Sequence, residues 1–140
     1  MLALDVNVLV DIVREGAEQD EVRRWLQDVL AGGERVGVSD AVLTGALRVL
    51  THPRVFDPPA SLDDAADALS DLVRQPGIVV LKPLPGCWET AVELARAAGA
   101  HGNLVADAAH AAVAVQHGAT FVTRDQDFRR FPGLQVQAPV

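Results

Sequence analysis

Leu2-Ala3-Leu4-Asp5-Val6-Asn7-Val8-Leu9-Val10 opens the chain and decides its architecture. An apolar run that stops at an acid reads as a short buried strand over residues 2–6. A helix over residues 8–14 follows, with Asn7 as its N-cap. The same unit recurs downstream. Residues 35–38, 78–81, 119–123 and 134–136 are further short apolar strands. Between them lie helical patterns at residues 20–30, 40–50, 61–74, 87–98 and 104–116, ended by Gly32-Gly33, Pro76-Gly77, Gly99 and Gly118. Ser61 is the expected cap of the fourth helix. Residues 52–59 hold three prolines and read as a loop. Continuous apolar strands alternating with helices predict an α/β fold: a mostly parallel sheet of four to five strands in a three-layer sandwich, with helices on both faces.

The chain of 140 residues has no repeat and no long linker, so one domain over residues 1–140 is expected. At 49% hydrophobic it can bury a core without staples, and with no Tyr and four Phe that core rests mainly on Ala, Val and Leu. The lone thiol, Cys87, allows no internal disulfide and fits a reducing compartment; beside Trp88 it reads as core. No leader pattern and no membrane span are visible, so a soluble cytoplasmic protein is expected. A net charge of −7 argues against a nucleic-acid binder that relies on a basic surface. It leaves open a nuclease whose metal ions carry the positive charge. Eleven of the twelve basic residues are Arg, and Lys82 is the exception.

In open parallel sheets ligands bind beyond the carboxyl ends of the strands. Asp5 ends the first strand, and Asp125 follows the strand over residues 119–123. Asp107 sits near the start of the long Ala-rich helix, where an acid can point at the same edge. Each acid also has a plain structural reading: Asp5 as a cap, Asp107 as a first-turn acid favoured by the helix dipole, and Asp125 as a turn residue. Taken together they suit a hard divalent cation, because clustered carboxylates demand one or hold their protons.

Four segments in order carry a resemblance: Leu4-Asp5-Val6-Asn7; Leu47-Arg48-Val49-Leu50-Thr51-His52-Pro53-Arg54-Val55-Phe56; Gly102-Asn103-Leu104-Val105-Ala106-Asp107-Ala108; and Gly118-Ala119-Thr120-Phe121-Val122-Thr123-Arg124-Asp125-Gln126-Asp127-Phe128. With these the chain resembles the PIN-domain family, and within it the VapC toxins of bacterial toxin–antitoxin pairs. The resemblance implies a PIN-like sandwich and an endoribonuclease using Mg²⁺ or Mn²⁺, with Asp5, Asp107 and Asp125 at the metal positions. Asp127, Thr123 and Asn103 are candidate helpers, and Arg124, Arg129 and Arg130 candidate RNA contacts. Arg48 and Arg54 are further cations that could meet RNA or a partner surface. The implied partners are an RNA substrate, a cognate antitoxin and a second copy of the chain in a homodimer.

One position departs from the family, which usually has a Glu early in the helix after the second strand. Here Ser39-Asp40-Ala41-Val42-Leu43-Thr44-Gly45-Ala46 offers none, and Thr44 or Gly45 fills the slot. Asp40, one turn earlier, is the substitute to test, though it also reads as a cap. The missing acid motivates a second reading, a PIN-like binding module without catalysis. A receiver or a haloacid-dehalogenase-type phosphatase fits less well. Lys82 is the only lysine and precedes Pro83, and the first strand ends Asp5-Val6-Asn7 rather than Asp-x-Asp.

Overall fold

The computed structural model describes residues 1–140. The elements run β1 (Leu2–Leu4), α1 (Val6–Val13), α2 (Ala17–Ala31), β2 (Val36–Ser39), α3 (Asp40–Leu50), α4 (Leu62–Val73), β3 (Ile78–Leu81), α5 (Cys87–Ala97), α6 (Asn103–Gln116), β4 (Thr120–Val122), a 3₁₀ turn (Gln126–Arg130) and β5 (Val136–Gln137). The five strands form one sheet in the order β3-β2-β1-β4-β5. Every pairing is parallel.

Alternation along the strands divides the core in two. Leu4, Val36, Val38, Ile78 and Val122 face α1 to α4. Ala3, Leu81 and Phe121 face α5, α6 and the 3₁₀ turn. Buried small side chains on α6, Ala108, Ala111, Ala112 and Ala114, let that helix lie close against its layer. Gly37 makes room on the same face for the Leu81 side chain of β3, since a Cβ there would lie 2.5 Å from Leu81 Cδ1. Phe128 lies 4.6 Å from Phe121 and 5.7 Å from Phe131, ring centre to ring centre, and this aromatic stack fixes the 3₁₀ turn to the sheet.

Chain order places β2 and β3 on one side of β1, and β4 and β5 on the other. Connections leaving β1 cover one face, and those entering β4 cover the opposite face. The crevice between β1 and β4 is therefore the point where the strand order reverses, and ligands bind beyond such points.

Several local expectations are corrected. Asp5, not Asn7, caps α1: it has extended backbone, and its carboxylate accepts from Val6 N. The helix consequently begins two residues earlier than expected. Helix α6 begins at Asn103, one residue earlier than expected, and Gly102 is its cap. Ser61 caps α4 as expected, and Ser39 caps α3. The last strand lies at Val136–Gln137 because residues 131–135 are taken up by the turn that follows Phe128. Cys87 packs partly into the second core, but Trp88 is 76% exposed. No helix is long and apolar enough to cross a membrane.

Candidate active site

The register that pairs Leu4 with Val122 sets the next residues of both strands, Asp5 and Thr123, side by side. Both are buried. Thr123 Oγ1 donates to Asp5 Oδ2 at 2.6 Å. Asn7 Nδ2 donates to the same oxygen at 2.8 Å and to Thr123 Oγ1 at 3.1 Å. Val6 N donates to Asp5 Oδ1 at 2.7 Å. A carboxylate has about four acceptor sites. Three donors therefore hold Asp5 in one orientation and leave a lone pair on Oδ1. Burial is the largest influence on Asp5 and raises its pKa; the hydrogen bonds from Thr123 and Val6 oppose it.

The same network organises the following loop. Asp125 N donates to Thr123 Oγ1 at 3.0 Å, and Arg124 N to Asn7 Oδ1 at 3.2 Å. Asp125 caps the 3₁₀ turn by accepting from Asp127 N. Asp107, one turn into α6, faces this group from the opposite layer. Its pKa is pushed up to about 6, first by burial and then by the charges of Asp5, Asp125 and Asp127.

Asp5, Asp107 and Asp125 line one open cleft of about 820 Å³. No three acidic or histidine side chains close into a ready-made chelate. The donor set nonetheless suits a hard cation: the oxygens are carboxylate, and Asp107 carries an energetic penalty that positive charge would relieve. His110, one turn beyond Asp107, also lines the cleft. Its Nδ1 is buried without a partner, and burial lowers its pKa while Asp5 opposes the shift. A groove of about 390 Å³ between α3 and α4 is largely aliphatic and holds no acid or histidine, so ionic chemistry belongs to the cleft.

The remaining expected residues divide. Asn103 lines the cleft without a side-chain hydrogen bond in the fold. Asp127 is exposed and acts on Asp107 through its charge. Asp40 does not reach the cleft; it is exposed and ion-paired with Lys82, so it does not replace the missing acid. Of the two residues at that slot, Gly45 lines the cleft, together with Arg48 and Val49 further along α3, while the Thr44 hydroxyl turns back to the Asp40 carbonyl. A Cβ on Gly45 would stand 2.8 Å from Val6 Cγ2, so Val6 occupies space a larger residue would need. Arg124 lines the cleft, with its Nε held by Asp11 at 2.9 Å. Arg129 and Arg130 do not: Arg129 bonds Gln126, and Arg130 bonds the Ala98 carbonyl. In their place Arg48 and Arg14 line the cleft, neither in an ion pair. Arg14 was not singled out by the sequence, because its position depends on the turn of α1 toward the loop that carries Phe56.

The PIN domain profile matches residues 2–134. The chain belongs to the PIN-domain family. It is 38% identical to the VapC ribonuclease Mb2897 of Mycobacterium bovis, over 100% of this chain and 96% of that protein. It is 32% identical to ribonuclease VapC37 of Mycobacterium tuberculosis, over 99% and 97%. Among solved structures, VapBC2 from Rickettsia felis bound to a promoter DNA fragment superposes with a TM-score of 0.70. That match is 19% identical and covers 98% of this chain and 97% of the other. At this identity the match establishes a shared PIN-like α/β fold.

Proposed function

We propose that this PIN-domain chain is an endoribonuclease toxin that uses Mg²⁺ or Mn²⁺ to hydrolyse structured RNA and is held inactive by a cognate antitoxin. The observation that carries the proposal is the convergence of Asp5, Asp107 and Asp125, from three separate elements, on one cleft at the β1/β4 crevice. The VapC ribonucleases it resembles over its full length support the activity, and the VapBC complex supports an antitoxin partner.

In this reading Asp5, Asp107 and Asp125 hold the cation, with Asp127 adding negative charge behind Asp107. A hard divalent ion supplies positive charge to the phosphodiester and lowers the pKa of water. The chain's own contribution is preorganisation. Thr123 and Asn7 fix Asp5 and tie the Asp125 loop to α1, so the acids do not have to be assembled on binding. Arg48 and Arg124, on the rim of the cleft, bind phosphates flanking the cut. An antitoxin that places a basic side chain among these acids would satisfy their charge and close the site. Homodimerisation belongs to the same proposal.

Gly45 favours a second reading, a binding module that keeps the fold without the chemistry, because it stands where the family usually has Glu. The two separate in one assay. Antitoxin-free protein is incubated with total RNA in Mg²⁺, in Mn²⁺ and in chelator. Cleavage that needs the metal and disappears in Asp107→Asn supports the enzyme. Intact RNA under every condition, from folded protein, leaves the binding module.

A further inference from the structure

We infer that a small pocket next to the cleft is a subsite for one unstacked nucleobase of the RNA, stacked on Arg14. The inference rests on the ribonuclease reading above and adds where the base beside the cut is held.

Arg14 follows the last residue of α1, and its backbone is pinned on both sides. Its N–H donates to the Val10 carbonyl, and its own carbonyl accepts from Arg23 Nη1. The guanidinium carbon lies 3.9 Å above the ring centre of Phe56, which comes from the loop after α3. No acid pairs with it. A planar cation is thus held over an aromatic ring without its charge being neutralised.

The pair stands between two cavities. On one side is the acid cleft. On the other is a pocket of about 260 Å³ completed by Leu50, Pro58, Pro59 and Ala60. The loop wall is tied down, since Ala60 N donates to Leu50 O at 3.0 Å and Phe56 N to His52 O at 3.1 Å. The volume lies below the roughly 300–1,000 Å³ of pockets that take whole ligands, and is on the scale of one ring system. Arg14 is the only charged side chain lining it, and the other walls are aliphatic, proline and aromatic. That lining rejects a phosphate, which would have one cation and no further donor side chain. It accepts a flat, apolar-faced base, and guanidinium planes and aromatic rings are the surfaces on which single-stranded bases stack. Because the wall is shared, a strand whose phosphate reaches Asp5, Asp107 and Asp125 has a neighbouring base within reach of the pocket.

The test is cleavage-site mapping on total RNA for the wild type, Arg14→Lys, Phe56→Leu and Ala60→Phe. Folding of each is checked by thermal melting. Arg14→Lys keeps the charge and loses the plane, while Ala60→Phe keeps both stacking partners and fills the pocket. The wild type is expected to show a nucleotide preference at one position on one side of the cut. Filling the pocket or removing the plane should flatten that preference and lower cleavage at the preferred sites by about 5- to 150-fold, the range that stacking one base implies. A general loss of stability lowers all cleavage and leaves the preference intact. If Arg14→Lys does not fold, Ala60→Phe decides. A wild type that cleaves without preference overturns the subsite alone. So does an unchanged preference in the folded variants, and weakened antitoxin binding in those same variants would assign the pocket to the protein partner. A wild type that cleaves no RNA overturns the ribonuclease reading, and the subsite with it.

Discussion

The hydroxyl of Thr123 donates to the carboxylate of Asp5 at 2.6 Å, joining residues 118 positions apart. The bond exists because β1 and β4 are parallel neighbours in a register that aligns their final residues. It links fold to chemistry, since the same hydroxyl accepts from Asp125 N and so holds two acids of the cleft at once.

Thr123→Val keeps the volume and removes all three hydrogen bonds of the hydroxyl, to Asp5, Asp125 N and Asn7 Nδ2. Thr123 is 2% exposed, and a buried group left unsatisfied costs about 1–3 kcal/mol. The variant is expected to lose stability of that order in urea unfolding and to bind Mn²⁺ more weakly. Unchanged Mn²⁺ affinity would mean that Thr123 does not organise the site.

Asp107 sets a pH dependence. Its folded-state pKa, raised from 3.8 to about 6, makes the folded chain hold that proton more tightly than the unfolded chain. Its contribution to stability is therefore full below pH 3.8 and lost as pH rises to about 6. Asp5 has the same sign, and His110, whose pKa is lowered, the opposite one. In chelator, Asp107→Asn should lose less stability than wild type between pH 4 and pH 6.5, and should be the more stable protein at pH 7.5. A wild-type profile identical to the variant's would contradict the burial of a charged Asp107.

Gly45 allows a direct test of the missing acid. Gly45→Glu gains about 0.5–1 kcal/mol of helix propensity, but overpacking against Val6 Cγ2 costs about 1–3 kcal/mol. Val6 is β-branched and turns aside poorly. The single variant is expected to be destabilised. Val6→Ala combined with Gly45→Glu should recover stability and bind Mn²⁺ more tightly than wild type, measured by thermal melting and calorimetry. A stable single variant would show that Val6 yields readily.

Phe128→Ala removes the middle ring of the aromatic stack that carries the Asp125 turn. A loss of about 3–5 kcal/mol in denaturant unfolding is expected; a loss under 1 kcal/mol would mean that the turn is held by other contacts.

Much of this fold was legible in the sequence, and the exceptions have definite causes. Residues 40–50 were read as a helix and form α3, because the spacing of Val42, Leu43, Leu47 and Leu50 is a local signal, although the cap is Ser39 and not Asp40. The first cap was misplaced because Asp5 and Asn7 are both good capping residues. The difference is tertiary: Asp5 N bonds Val122 O, which keeps Asp5 at the end of the strand. The gathering of Asp5, Asp107 and Asp125 at one edge follows from strand ends and chain order, which sequence carries. The fate of the cations does not. Arg129 and Arg130 sit beside Asp127 in sequence, yet a 3₁₀ turn rotates Arg130 to Ala98. Arg14 lines the cleft stacked over Phe56, 42 positions away.

The measurement closest to the central claim is calorimetric titration of Mn²⁺ into the antitoxin-free wild type, Asp5→Ala, Asp107→Ala and Asp40→Ala. Three acids from separate elements sharing one site predict binding in the wild type, its loss in both Asp5→Ala and Asp107→Ala, and no change in Asp40→Ala, whose carboxylate is turned to Lys82. Folded wild type that binds no Mn²⁺, or full binding after removal of Asp5 and of Asp107, would contradict it.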